Sequence, residues 1–175
     1  MLTPECFGRK NINYILYIER IFIMKKLLSF VMVFALCVTA LTGCGSKSVD
    51  LSEVMTKINT EYDISIKQLS STEDLNKYYT INAEDVKQFA AEINQTVNAP
   101  VEIVMIEAKD ATAAGNVETA LTNRYNAIIQ QYSGYSPENL AMAQKCKVTK
   151  DGNFVSMIVA DKASEMLEIY YEYVK

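Results

Sequence analysis

The segment Val101-Glu102-Ile103-Val104-Met105-Ile106-Glu107-Ala108 is short, rich in β-branched residues and apolar on both of its alternating faces. These properties are typical of a buried strand. Turn-forming residues precede it at 98–100. We therefore expect a β-sheet to organise the fold, with the neighbouring segments supplying its other strands and the helices that cover it.

The preceding segment, 82–97, fits two structures. Asn82 would cap a helix, but Phe89, Ala91 and Ile93 also alternate as in a half-buried strand. Composition favours a helix, whereas the strand that follows favours a hairpin. We predict a strand at 87–96 that pairs with 101–108.

A second hairpin is predicted near the C-terminus from 145–149 and 153–160. Asp151-Gly152 between them is among the strongest hairpin signals. With these two residues as the loop, Val148 would face Val155.

Helical periodicity marks three further segments. The helix at 51–61 has an apolar face and a capping box of Asp50 with Glu53. The long central helix covers 112–132, a short helical turn follows Pro137, and Asp161 would cap a C-terminal helix. Segment 62–80 has no decisive pattern, although Ser70-Ser71-Thr72-Glu73 could open a short helix that ends near Tyr78-Tyr79. The predicted fold class is α+β: an antiparallel sheet of two β-hairpins, with the long central helix, the N-terminal helix and the C-terminal helix packed on one face.

The N-terminal region resembles a bacterial lipoprotein signal. Leu41-Thr42-Gly43-Cys44 closes an apolar run that follows Met24-Lys25-Lys26. The run is short for a bilayer core of about 30 Å. The resemblance implies that Cys44 carries a lipid, which would anchor the protein on the extracytoplasmic face of the cell membrane. The expected organisation is an upstream start-site error at 1–23, a signal peptide at 24–43, a tether at 44–48 and a single domain at 49–175.

Removal of residues 1–43, the expected leader, changes the net charge and the cysteine content of the chain. Residues 44–175 keep 12 of the 17 Lys and Arg and 19 of the 21 Asp and Glu, so the formal net charge falls from −4 to −7. Such an acidic domain is a poor partner for nucleic acid. Beyond Cys44 the mature segment keeps only Cys146, which we interpret as a small buried hydrophobe.

No catalytic constellation is recognisable. The chain has no histidine, which removes the commonest general base and metal ligand. Its neighbouring acidic residues, such as Glu84-Asp85, point apart on a helix or strand. We therefore predict no enzymatic activity, no cofactor and no metal site.

The candidate ligand-binding residues are Arg124, Tyr125 and Tyr135. Arg124 is the only arginine of the mature segment, and arginine binds carboxylates in a bidentate way. The alternative is a structural role, such as pairing with Glu107. Tyrosines can contact sugars or peptides, although on amphipathic helices they more often form the edge of the core.

Several short motifs resemble a family of small Gram-positive lipoproteins known as domain of unknown function 4358. They are Val101-Glu102-Ile103, Glu107-Ala108-Lys109-Asp110, Val117, Leu121 with Arg124, Tyr135-Ser136-Pro137-Glu138 and Gly152-Asn153-Phe154-Val155. The resemblance covers about 50–160 and implies a strand near 87–96. The family has no assigned activity, so it supplies no catalytic residues.

The expected function is that of a membrane-anchored, non-catalytic binding or accessory module of the cell envelope. Its partners would be the membrane, through the lipid, and an envelope protein or cell-wall ligand. The alternatives are a cell-envelope hydrolase, which a buried acid pair in a pocket would favour, and a small solute-binding lipoprotein.

Overall fold

The predicted central strand is β3, Glu102–Ala108, and all its residues are buried. The others are β1 (Lys67–Leu69), β2 (Val86–Ile93), β4 (Lys147–Asp151) and β5 (Phe154–Val159). All neighbours pair antiparallel, in the order β1-β2-β3-β5-β4. The computed structural model describes residues 48–95 and 100–175. The predictions for the leader, for the lipid on Cys44 and for most of the tether lie outside these residues.

The ambiguous segment is a strand, as predicted. β2 pairs with β3 through Phe89 opposite Ile106 and Ala91 opposite Val104. Asn82 precedes a short 3₁₀ turn, Ala83–Asp85, rather than a longer helix. The hydrogen bonds available from β3 outweigh the helical composition of this segment, because strand pairing depends on the partner more than on intrinsic propensity. β1, which pairs with the outer edge of β2, was not predicted.

The second hairpin is confirmed, but its predicted register is wrong. Gly152 and Asn153 form the loop, and Asp151 pairs with Phe154. Val148 therefore lies opposite Met157 instead of Val155. Gly152 has φ +57°. A glycine with positive φ at the first loop position is characteristic of a type II′ hairpin turn. The loop is therefore Gly152-Asn153, one residue later than the predicted Asp151-Gly152.

The described residues also form five α-helices, and the α+β prediction is confirmed: α1 (Leu51–Tyr62), α2 (Thr72–Tyr79), α3 (Ala111–Ser133), α4 (Pro137–Ala143) and α5 (Ala163–Val174). The first four begin at side chains that accept a hydrogen bond from the first turn: Asp50, Ser71, Asp110 and Ser136. Asp161 is not the cap of α5, because that helix begins one residue later, after Lys162 and without a side-chain cap.

The helices cover both faces of the sheet, so the expectation of one covered face is wrong. Arg124 of α3 reaches Glu102 of β3. Asn59 of α1 reaches Glu92, which pairs with Ile103, the next residue of β3. Successive strand residues point to opposite faces, so α3 and α1 lie on opposite sides. α2 and α4 accompany α3, and α5 accompanies α1. β3 is apolar on both faces and therefore needs cover on both.

From Val49 onward the chain forms one compact unit. The predicted apolar face of α1 is buried, as is Cys146. Within 48–95 and 100–175, no helix has the length and apolarity needed to cross a membrane.

Candidate functional site

A cleft of about 570 Å³ lies between α2 and α3, on the face of the sheet opposite α1. We call it the α2–α3 cleft. The end of α2 supplies Tyr78, Tyr79 and Thr80. The lining residues of α3 follow helical spacing along one face: Asn116, Thr119, Ala120, Asn123, Arg124 and Ala127. A second cavity of about 340 Å³ shares Tyr78 and Arg124 with the cleft and also includes Glu102 and Tyr132.

A neighbouring face of α3 holds the helix against the sheet. Val117, Leu121 and Ile128 are almost completely buried there. Most residues on the cleft side of α3 lie outside this buried set, although Ala120 is partly buried and packs against the core. Because a helix of this length is fixed along its buried face, the lining side chains project from a rigid support.

Arg124 is held by Glu102 at the base of the cleft. Its Nε lies 3.1 and 3.0 Å from the two carboxylate oxygens, and its Nη2 contacts Oε1. The Glu102 side chain is only 4% exposed and that of Arg124 is 30% exposed. The hydrogen bonds that Arg124 donates to the Glu102 carboxylate raise the pKa of Arg124, although burial opposes this rise. The guanidinium is therefore fixed in position, and its charge is compensated by the carboxylate.

Glu107, suggested by the sequence as the partner of Arg124, is not its partner. It accepts hydrogen bonds from Lys87 and Gln88, each at 2.6 Å, on the α1 side of the sheet. Glu102 and Glu107 are an odd number of positions apart in β3, so they point to opposite faces. Only Glu102 can meet a residue of α3.

Two tyrosines of α2 form one wall of the cleft. Tyr79 is 3% exposed, and its hydroxyl has no hydrogen-bond partner at normal distance and angle within residues 48–95 and 100–175. Burial, with a smaller contribution from nearby Glu102, raises the pKa of Tyr79. The Tyr78 hydroxyl accepts hydrogen bonds from Gln95 at 2.9 Å and from Lys67 at 3.3 Å. The bond from Lys67 is the main reason why the pKa of Tyr78 is lowered.

The residue that ends this wall has an unusual backbone. Thr80 follows α2 with φ +59°. A β-branched residue is rarely found in this left-handed region, because its side chain crowds the backbone. Such strain is concentrated at functional positions in proteins.

The three residues predicted to bind a ligand do not come together. Arg124 lines the cleft. Tyr125 packs toward α4, where its hydroxyl donates to the Ala143 carbonyl at 3.0 Å. Tyr135 lies beyond the end of α3 and is 70% exposed.

The cleft residues that sequence reasoning missed are Tyr78, Tyr79, Thr80 and the neutral polar residues of α3. The first three belong to a segment without a clear prediction. The α3 set had a detectable signal, since Asn116, Asn123 and Ala127 share a helical face with Arg124.

The cleft offers hydrogen bonds and aromatic surface but no pair of acids. Glu102 is the only carboxylate among the described residues of either cavity, and it is bound to Arg124. The described part of the chain contains no group of three acidic or cysteine side chains placed to hold a metal ion. Cys146 lies elsewhere, its thiol within 3.6 Å of the Ala160 carbonyl, and burial raises its pKa.

A family model with the description "Domain of unknown function (DUF4358)" matches residues 59–160. This range contains β1 to β5 and the whole α2–α3 cleft. No curated protein and no solved structure matches the chain.

Proposed function

We propose a binding role for this chain, which belongs to the family described as Domain of unknown function (DUF4358). It is a non-catalytic module held on the extracytoplasmic face of the cell membrane by a lipid on Cys44. Its α2–α3 cleft binds a component of the cell envelope. The short segment between Cys44 and α1 keeps the domain close to the membrane surface.

The observation that carries the proposal is the cleft itself. A volume of about 570 Å³ is in the range of small-molecule sites. Its lining combines tyrosines, amides and hydroxyls with a fixed arginine, and most of these side chains make no contribution to the buried core. Polar groups placed around a concave surface favour ligand binding over a purely structural role.

The two alternatives are less well supported. A glycoside hydrolase needs two carboxyl groups that flank the scissile bond, and the described lining supplies only Glu102, already paired with Arg124. A solute receptor of the usual kind closes two lobes around its ligand, whereas Val49–Lys175 is one unit built on one sheet.

The test is retention of the protein by purified, insoluble cell-envelope material. Ala127 is an exposed cleft residue, so Ala127→Arg fills the cleft without disturbing the core. Thr122→Arg is the matched control, because Thr122 is exposed on α3 but lines neither cavity. We expect Ala127→Arg to weaken retention about tenfold or more, the loss of roughly 1.4 kcal/mol of binding free energy. Thr122→Arg should behave as the unmodified protein.

Two results would contradict the proposal. Equal retention of both variants would remove the cleft from the interaction. Release of soluble fragments from the envelope material, lost in Ala127→Arg, would favour the hydrolase instead.

A further inference from the structure

We infer that the ligand of the α2–α3 cleft is a neutral carbohydrate, recognised by its hydroxyl groups. This inference rests on the proposed binding function and names the chemical class of its ligand. It follows from three properties of the lining: its charge, its hydrogen-bonding groups and its shape.

The charge of the lining is compensated. Among the described residues that line the cleft, Arg124 is the only charged one, and the carboxylate of Glu102 lies directly behind it. An anionic ligand would have to share Arg124 with Glu102 and would approach an acidic domain. A cationic ligand would meet no carboxylate among the described lining residues, and the nearby Asp85 carboxylate is bound by Asn116. The electrostatics therefore favour a polar ligand without charge.

The hydrogen-bonding groups both donate and accept, as sugar hydroxyls do. Asn123 is exposed, and its carboxamide has no partner in the described part of the chain. Thr119 donates to the Gly115 carbonyl at 2.9 Å, which leaves its hydroxyl oxygen able to accept. Asn116 uses Nδ2 toward Asp85, so its carbonyl oxygen is available. These groups extend along α3 for about two turns, or roughly 10 Å, which suits an elongated ligand.

Tyr78 and Arg124, whose side chains are held in place by their neighbours, add hydrogen-bond donors to the cleft. The Tyr78 hydroxyl receives two hydrogen bonds, so its own hydrogen remains for an acceptor on the ligand. The Nη1 group of Arg124 is not used by Glu102 and can donate to a neutral oxygen as well as to a carboxylate. Because both side chains are held by neighbours, little conformational entropy is lost when a ligand binds.

The shape of the α3 side of the cleft lets a ligand approach the helix closely. Ala120 and Ala127 present only methyl groups along the α3 side of the cleft, between the polar residues. A sugar ring has apolar C–H faces and polar edges, so it can lie over these methyl groups beside Tyr78 while its hydroxyls reach Asn123 and Thr119. The alternation of small and polar residues along α3 thus matches an amphipathic ring.

The experiment is saturation-transfer NMR on the full chain in detergent. The neutral probes are β-1,4-linked tetramers of N-acetylglucosamine and of glucose. The anionic probe is a tetramer of galacturonic acid. Asn123→Ala removes one lining carboxamide. Its control is Asn126→Ala, because Asn126 is exposed on the same helix but lines neither cavity.

We expect saturable binding of at least one neutral tetramer and weaker or no binding of the acidic tetramer. Asn123→Ala should raise the Kd of the neutral tetramer about fivefold, the effect of one neutral hydrogen bond. Asn126→Ala should leave the Kd unchanged.

Tighter binding of the acidic tetramer, or no binding of either neutral tetramer, would overturn the inference. If envelope retention still depended on Ala127, the proposed binding function would stand and only the ligand class would fail. If Ala127→Arg left retention unchanged, the binding function itself would fail.

Discussion

Arg124 connects the sheet to the wall of the cleft through one carboxylate. Glu102 is buried in the central strand, where an unpaired charge would be strongly unfavourable. Its pairing with Arg124 satisfies both groups and at the same time fixes the base of the cleft. One contact therefore serves the stability of the fold and the geometry of the site.

A double-mutant cycle measures this contact. Arg124→Met and Glu102→Leu should each lower the free energy of unfolding by about 3 kcal/mol, because each leaves the other charge without its partner. The double variant should recover most of that loss, since two apolar side chains replace the pair. Urea unfolding of the four proteins gives the coupling energy. Additive losses would mean that the two side chains do not interact in solution.

Glu92 is a second buried carboxyl group, on the opposite face of the sheet. Its Oε1 accepts a hydrogen bond from Asn59 Nδ2 at 2.7 Å. Among the residues that the structure describes, Glu92 Oε2 and Asn59 Oδ1 are buried without a partner, so a proton on Glu92 Oε2 would supply the donor that these oxygens lack. Burial raises the pKa of Glu92, and the Asn59 bond opposes the rise only in part.

The raised pKa of Glu92 makes stability depend on pH. The folded state holds the Glu92 proton more tightly than the unfolded state does. The contribution of this proton to the free energy of unfolding is therefore complete below the ordinary pKa near 4.5. It is lost as pH rises through the folded-state pKa, at no more than about 1.4 kcal/mol per pH unit. Glu92→Gln should remove this slope and stabilise the protein at neutral pH, because glutamine can donate to Asn59.

The measurement is urea unfolding at several pH values above 4. Glu84→Gln is the control, at an exposed position away from this pair. A slope that persists unchanged in Glu92→Gln would assign the pH dependence to other groups.

At the scale of elements, the ends of α1 and α2 differ from the usual pattern. Both helices end at a residue with positive φ that is not glycine, Asp63 at +50° and Thr80 at +59°. Glycine is the common residue at such positions. Aspartate tolerates this conformation better than threonine, which is β-branched. The strain is therefore greater at the end of α2, beside the cleft.

Replacement of Thr80 by glycine should relieve that strain. We expect Thr80→Gly to raise the free energy of unfolding by about 1 kcal/mol. It should also weaken envelope retention, since the hydroxyl and the fixed backbone at the cleft are lost. Asp63→Gly, at a matched position on α1 outside the cleft, should give a smaller gain and leave retention unchanged. Destabilisation by Thr80→Gly, measured by thermal unfolding, would refute the strain argument.

At the scale of the whole molecule, the first helix of the domain and the cleft lie on different sides of the sheet. α1 packs on one face, and the cleft lies on the other face, between α2 and α3. The two helical layers bury the central strand, and the pair of Arg124 with Glu102 links the cleft to that strand.

The anchor itself can be tested by metabolic labelling with palmitate. Cys44→Ser should abolish incorporation of the label and the mature N-terminus at residue 44, because the thiol is the site of attachment. Cys146→Ser is the control, since that thiol is buried in the domain. We expect Cys146→Ser to incorporate the label to the same extent as the unmodified protein. Labelled Cys44→Ser protein would disprove the lipoprotein prediction.

Sequence patterns predicted the elements better than their arrangement. Periodicity located α1, α3, α5 and both hairpins, because the spacing of apolar residues along a strand or helix is a local property. The loop of the second hairpin and the start of α5 were each misplaced by one residue, since caps and turns depend on a single backbone conformation. β1 escaped prediction because three residues are too few for a periodic signal.

The sequence by itself determined that this chain forms an α+β domain around the strand at 101–108 and that Arg124 is its most distinctive polar residue. The tertiary structure alone decided that helices cover both faces, that Arg124 pairs with Glu102, and that Tyr78, Tyr79 and Thr80 complete the cleft. The physical reason is that hydrophobic periodicity is encoded within each segment. The partner of a charge and the wall of a cavity depend on residues that meet only when distant segments pack.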